Sequence, residues 1–590
     1  MILQALDAYY RRKQADPNPA NRLPAFGFED KEIPFLLELD TDGTLLNIVD
    51  TRSGSDKKKT AQSFLVPQSV KKTSGIVANI LWDNAEYVLG LPDAKKLADS
   101  QIKGKEVEYR ERLAEMRAAF RQRITSLPAA DDAGVLAVLA FLDSLDPATL
   151  AAFPAYADIA AGNPLLSFRL QADIDLVGQR PRVLAALATQ PLSQADGMCL
   201  VSGQPTEIER LHPAIKGVWR AQTSGANIVS FNLDAFRSYG KEQGANAPVG
   251  KPAAFAYITA LNHLLAKDSR QRIQVGDAST VLWAEEPHEL ETTMTDLFGE
   301  PRKDNPDSNT DAVRALYRAI ESGKFAVGRL GTRFHVLGLA PNAARISIRF
   351  WETATAADLA RRIKQHFDDI AIVHADYEPE HLSLFRLLTG IALLNKADNI
   401  PPNLGGEVMR AILNGLPYPA TLLNLAVSRC RAEQKPTHAR AAAIKASLNR
   451  WIRFRQSPEK EFLPMLDTAN TNPGYRLGRL FAVLEKIQED ASPGLNATIR
   501  DRYYGAASST PAAVLSTLLR LSKHHLAKLP TGLAISRERL SGEIMNGFDA
   551  ATFPPRVLPL ADQARFALGY YHQRQAFFTK PGPTDQEKSA

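Results

Sequence analysis

Cysteine is nearly missing: Cys199 and Cys430 are the only two in 590 residues, and no CxxC pair exists. That argues against a zinc ribbon, an iron-sulfur cluster and a disulfide framework, and makes a reducing cytoplasm the expected compartment. No apolar run approaches membrane-spanning length. The N-terminus, MILQALDAYYRRK, places its basic residues after its apolar ones, the reverse of a signal peptide's order. A GxxxxGK[ST] phosphate loop, a GxGxxG after a strand, an HExxH and a GxSxG elbow are all absent. The carboxylates form no recurrent acid cluster. His524 and His525 are adjacent, and neighbours on a helix point in different directions, so the pair does not share one metal. Nothing here assembles a nuclease or an ATPase, and no cofactor or metal site is expected, although a missing motif says little against an unfamiliar active site.

What is present is an ordinary folding composition. Hydrophobic residues at 45% and charged residues at 23% exclude disorder over most of the length, which suffices for two to four domains. The net charge of +6 is compatible with a polyanionic partner but too small, spread over 590 residues, to require one.

Along the chain, Ile2 to Lys13 reads as a short helix stopped by Asp16 to Pro19. Phe35 to Leu39 and Leu45 to Val49 flank Thr41-Asp42-Gly43, a hairpin signal because Asp-Gly supplies the positive φ of a tight turn. Arg52 to Thr60 reads as a basic loop tip carrying Lys57, Lys58 and Lys59. From Asp83 to Leu127 the pattern is helical, with Val107, Leu113, Met116, Phe120 and Ile124 on the expected buried face. Strands are expected at Leu166 to Leu170, Gly197 to Ser202, Phe334 to Leu339 and Arg345 to Trp351, and a helix at Ala253 to Ala266. Beyond Thr353 helix follows helix, separated by breaks such as Pro401-Pro402. After Pro464, Asn472 is a candidate N-cap, Pro473 fits the first helical position, and Leu477, Leu480, Phe481, Leu484 and Ile487 form one apolar stripe. The fold class is therefore α+β: a mixed α/β region at 1–352, a helical connecting region at 353–464, a helical bundle at 465–581 and a disordered tail at 582–590.

Two stretches are unusually polar. Within FLVPQSVKKTSGIVANILWDNAEYVLGL (64–91), a loop from Gln68 to Asn79 gathers Lys71, Lys72, Thr73, Ser74, Gly75 and two amides between apolar runs. Lysines and short hydroxyls suit phosphates, amides suit base edges, and glycine lets a backbone approach closely. A solvated surface loop explains the same residues, and the residues alone leave both readings open. The second stretch, GANIVSFNLDAFRSYGKEQGANAP (225–248), carries Asn227, Asn232, Lys241, Gln243 and Asn246. It reads either as a hydrogen-bonding surface or as a set of turns and caps, which Asn and Ser form readily. Trp82 would suit a wedge between bases, though its position after Ile80-Leu81 favours the core.

With these stretches, LNKADNIPPNLGGEVMRAILNGLPYP, NPGYRLGRLFAVLEKIQ, TIRDRYYGAAS and FALGYYHQRQAFF, the chain resembles the large subunit of the type I-C CRISPR interference complex nearly end to end. The resemblance implies a non-catalytic subunit of an RNA-guided surveillance complex, with partners comprising CRISPR RNA, backbone, RNA-processing and small subunits. It would recognise a short motif flanking the target in duplex DNA, hold the displaced non-target strand, and recruit a helicase-nuclease in trans, base pairing with the guide reading the remaining sequence. On that view Gln68, Lys71, Lys72 and Asn79 lie near the flanking duplex with Thr73 and Ser74 on phosphates. The second stretch contributes base or strand contacts. The bundle resembles a small-subunit module, also made separately from an internal start for which Met465 is the best-placed methionine. On its surface Arg476, Arg479, Arg500, Arg502, Lys523 and Lys528 are candidates for a single-strand channel. The rival classes are an assembly scaffold without base contacts and, less favoured, a cryptic nuclease.

Overall fold

The computed structural model describes residues 1–55, 58–70, 72, 75–188, 194–299, 308–321, 331–549, 551 and 553–578. They divide into an N-terminal unit of Tyr10–Leu211 and Phe231–Thr259, and a C-terminal unit of Met1–Tyr9, His212–Ser230 and Ala260–Ala590. The α+β class holds: strands and helices mix up to Thr355, and helices alone follow from Ala356.

In the N-terminal unit the strands are β1 (Phe28–Glu32), β2 (Phe35–Leu39), β3 (Leu45–Asp50), β4 (Ser53–Ser55), β5 (Lys58–Thr60), β6 (Ser63–Pro67), β7 (Trp82–Asn84), β8 (Leu165–Leu170), β9 (Gly197–Met198) and β10 (Pro205–Thr206). The main sheet has the order β3-β2-β8-β7, with β2 and β8 parallel and the other pairs antiparallel. A parallel pair needs a long crossover, and the helices Ala94–Ile102, Glu106–Thr125 and Ala133–Ser144 lie within it. The period of two divides β2 between two faces. Phe35, Leu37 and Leu39 join Phe120, Phe141 and Phe168 in the larger core, whereas Leu36 joins Ile33, Val66, Trp82 and Leu176 in a small second one. The expected hairpin is present between β2 and β3, where Gly43 has φ +86° and a Cβ would lie 2.7 Å from the Ala137 carbonyl.

The carboxylate of Glu86, 1% exposed, ties three helical segments to this unit. It accepts hydrogen bonds from the Tyr109 hydroxyl (2.7 Å), Lys96 Nζ (2.7 Å) and Asn163 Nδ2 (2.9 Å). Burial without such donors would be costly.

In the C-terminal unit β11 (Arg272–Val275), β12 (Ala278–Ala284), β13 (Arg333–Asn342) and β14 (Arg345–Thr355) form an antiparallel meander in chain order. One apolar cluster runs from Ile273 on β11 through the helices Ala356–Ile370, Leu384–Ile391, Leu404–Asn414, Ala420–Ala432 and His438–Phe454 to Tyr571. The helix Pro473–Ala491 starts as expected, with Asn472 Oδ1 accepting from the N–H groups of Gly474 (2.9 Å) and Tyr475 (3.2 Å). Its stripe Leu477, Leu480, Phe481, Leu484 and Ile487 is buried throughout. Among the described residues no helix is long and apolar enough to cross a membrane.

Three expectations are corrected. Val107 is 71% exposed, because at helical spacing it falls on the opposite side of the helix Glu106–Thr125 from the buried stripe Leu113, Met116, Phe120 and Ile124. Arg52 to Thr60 is not a simple loop tip, since β4 pairs with β5; Lys57 lies outside the described residues. The strand at Gly197 to Ser202 ends at Met198, where a turn closed by the Gly203 N–H on the Cys199 carbonyl (2.8 Å) takes over.

Candidate nucleic-acid interface

The first polar stretch is an excursion of the N-terminal unit that leaves β6 at Pro67 and returns at Trp82 on β7. The indole of Trp82, 1% exposed, donates to the Pro67 carbonyl at 2.8 Å, so Trp82 closes the neck of the loop rather than standing free as a wedge. Compact surface loops with joined ends are frequent binding elements.

Inside that neck the polar groups organise one another. Asp83 is buried, and both its oxygens accept from Lys72 Nζ, at 2.6 and 2.7 Å. The same carboxylate accepts the backbone N–H groups of Asn79 (2.9 Å) and Asn84 (2.8 Å). Lys72 Nζ also lies 3.6 Å from the centre of the Tyr87 ring, a cation–π contact that shields the ion pair from one side. Burial, and then the Asp83 charge, push the Tyr87 hydroxyl above its ordinary range. Asn79 is 4% exposed, and its Oδ1 accepts the Val70 N–H at 3.0 Å. On the outer limb the N–H groups of Gln68 and Ser69 are bound by the Gly27 carbonyl (2.8 Å) and Glu29 Oε1 (2.9 Å). That leaves the Gln68 side chain, half-buried, with no partner among the described residues. Gly75 has φ +81° and open space where a Cβ would lie, so backbone conformation and not crowding selects glycine there. Lys71, Thr73 and Ser74 lie outside the described residues.

The second stretch is shared between the units at Ser230/Phe231. In the C-terminal unit Asn227 Nδ2 donates to the carbonyls of His212 and Pro213, both at 2.9 Å, and its own carbonyl accepts the Ile346 N–H at 3.0 Å beside β14. In the N-terminal unit Asn246 clasps a tight loop: its Oδ1 accepts the Ser238 N–H (3.0 Å), and its Nδ2 reaches the carbonyls of Lys241 (3.2 Å) and Gln243 (3.1 Å). Gln243 has φ +47° and a half-buried side chain, while Asn232 and Lys241 are exposed. The reading as hydrogen-bonding turns therefore describes Asn227 and Asn246. Tyr239, which the sequence offers only as one more polar group of this stretch, is 98% exposed at φ +51°, a conformation that costs an L-residue about 1–2 kcal/mol. Only its neighbour Gly240 hints at a turn in the sequence.

In the bundle the six basic candidates differ. Arg479 is 5% exposed and bonded to Gln573 Oε1 (3.2 Å) and the Thr468 carbonyl (3.3 Å), and burial pulls its guanidinium below the usual range. Arg476 donates to the Asn470 carbonyl at 2.9 Å, and Arg500 lies 3.8 Å from buried Glu485 and 3.4 Å from Asp501. Arg502, Lys523 and Lys528 are exposed. Met465 is 61% exposed just after Pro464, whose carbonyl accepts the Val373 N–H at 2.8 Å. Among the described residues no three His, Cys, Asp or Glu side chains converge as a metal site.

A family model described as CRISPR-associated protein (Cas_Csd1) matches residues 6–578. No curated protein matches the chain.

Proposed function

From the premise that the chain belongs to the Cas_Csd1 family of CRISPR-associated proteins, we propose that it is the non-catalytic large subunit of a type I-C, RNA-guided surveillance complex. In this reading it recognises a motif flanking the target in duplex DNA, helps open the duplex, holds the non-target strand and receives a helicase-nuclease. The family match carries the reading, and the build of the loop at 68–81 supports it. A loop that reads DNA loses less affinity to ordering when it is held beforehand, and the described residues of this one are braced by Trp82, Asp83 and Asn79 from within.

The bracing divides the labour. Gln68 is the base-reading candidate, because its amide has no partner among the described residues. Asn79 acts through Val70, and Lys72 offers a phosphate only the charge that Asp83 leaves unmatched. The inward direction of these two groups also favours, for them, the scaffold reading in which no base is touched.

Gel-shift titration of the assembled complex with guide-matched DNA carrying a pool of flanking sequences separates the readings. Gln68→Ala is expected to relax preference at one flanking position, worth roughly 1–3 kcal/mol for a lost bidentate contact. Loss of a phosphate contact instead weakens every flank alike and lowers the salt slope by about one. A wild-type complex that binds all flanks equally would sink the proposal and leave the scaffold.

A further inference from the structure

Tyr239 occupies the tip of a four-residue turn, Ser238 to Lys241, in which the Lys241 N–H donates to the Ser238 carbonyl at 3.0 Å. The two central residues have φ +51° and +69°, so this is a type I′ turn with tyrosine where asparagine or glycine is the ordinary occupant. Nothing in the turn needs the ring. It is 98% exposed, makes no ring contact among the described residues, and sits on a loop already closed by the three hydrogen bonds of Asn246. Strain kept at an exposed position without return in packing is a mark of function. The surroundings indicate the ligand: Ser238, Gly240, Arg237 and Lys241 are all exposed, and among residues 233–245 the only exposed large apolar side chain besides Tyr239 itself is Leu233. Lys241 has no partner among the described residues, while Arg237 shares Asp234 (3.2 Å) and Glu242 (3.5 Å). A bare aromatic ring with cationic residues two positions to either side, on a loop tied by hydrogen bonds, suits the stacking of an unpaired nucleobase.

We propose that Tyr239 is a stacking residue for a nucleobase at the edge of the opened target duplex. The inference rests on the function proposed above and adds a residue and a contact to it. The decisive variant is Tyr239→Asn, because asparagine suits the type I′ turn better than tyrosine does and removes only the ring. In the assembled complex, with the same pool of flanked DNA targets as probe, Tyr239→Asn is expected to leave the thermal midpoint unchanged or higher. Its affinity for the pool should fall by roughly 5- to 150-fold, while Tyr239→Phe and Tyr239→Trp retain it. Wild-type affinity in Tyr239→Asn overturns the inference. So does an equal loss in Tyr239→Phe, which would assign the effect to the hydroxyl, and so does failure of Tyr239→Asn to assemble, which would make the ring a protein contact. Equal binding of all flanks by the wild type overturns the proposed function alone, because the ring test reads affinity for the pool and not discrimination within it.

Discussion

Lys72 shows how one side chain's role depends on a partner the sequence does not mark. Its side chain is 30% exposed, and that of the Asp83 it serves is 2% exposed. Replacing the lysine by methionine keeps much of the apolar stem but leaves a buried carboxylate with only backbone donors. Removing one partner of a buried pair costs up to about 3–5 kcal/mol, less where one end meets solvent, so Lys72→Met is expected to destabilise by roughly 1–3 kcal/mol. Denaturant titration reads this directly. A change within about 0.5 kcal/mol, as at ordinary surface sites, would show the ion pair to be incidental and return Lys72 to the phosphate-contact reading. In the sequence Lys72 is one of two adjacent lysines in a polar loop, and no spacing rule connects it to Asp83. The polarity of the loop was legible there; its inward direction was not, because it depends on Trp82 drawing the two ends together. The full exposure of Tyr239 was equally hidden, since an exposed ring and a buried one are spelled alike.

Among the elements, the helices Pro473–Ala491 and Leu560–Ala576 approach most closely. An added Cβ on Gly478 would lie 2.0 Å from the Phe566 carbonyl, on Gly569 2.1 Å from the Tyr475 carbonyl, and on Gly474 2.6 Å from the Asp562 carbonyl. Gly474 beside Asp562 and Gly478 beside Phe566 advance four residues on each helix, so the two run in the same direction. Parallel neighbours need a long return connection, and the helices Ile499–Ala507, Leu515–Leu526 and Thr531–Met545 are within it. Gly478→Ala gains helix propensity but meets backbone, which cannot rotate away as a side chain can. The expected result is a net loss of about 1–3 kcal/mol or more, against the gain near 1 kcal/mol at an open helical glycine such as Gly542. Equal stabilisation of both variants in thermal melts would contradict the close approach. The N-cap at Asn472 and the buried stripe were readable because both are local patterns. The glycine contacts were not, because the facing helix lies some ninety residues away in sequence. β1, with Glu29, Asp30, Lys31 and Glu32, is too charged to announce a strand, and β12 is buried at every position and so lacks the alternation that would have marked it.

On the scale of the whole molecule the histidines are segregated: all 11 fall within the C-terminal unit, and the N-terminal unit has none. Burial pushes His212, His335 and His438 down to about 4 and His572 to about 3, and carries His366 well below its ordinary value. Glu285 at 3.7 Å from His335 and Glu378 at 3.8 Å from His438 favour the charged ring, yet burial outweighs both. His366 meets the Tyr418 hydroxyl at 2.5 Å with Arg450 near, His572 the Tyr475 hydroxyl at 2.9 Å with Lys445 near, and His335 the Thr353 hydroxyl at 3.1 Å. Because these folded values lie below the unfolded value near 6.5, the unfolded state binds more protons between the two. Stability is thus full above about pH 6.5 and falls as the pH drops, by up to about 1.4 kcal/mol per pH unit for each histidine. Three such groups over two pH units remove an amount comparable to the roughly 5–15 kcal/mol that holds a domain together. The N-terminal unit answers to different groups. Hydrogen bonds to Arg52, the Lys96 N–H and Arg121 hold the carboxyls of Asp50, Asp93 and Asp143 below their ordinary range, so their stabilisation is lost only below about pH 4. Asp30, pushed upward by burial, works in the opposite sense. Acidification from pH 7 to 5 is therefore expected to open the C-terminal unit first. Hydrogen exchange followed by mass spectrometry, corrected for intrinsic rates, should show protection lost around Ala356–Phe454 while the strands Phe35–Leu39 and Leu165–Leu170 stay protected. Simultaneous loss in both units would mean that the buried histidines do not control acid unfolding, and that carboxylates common to the two units do.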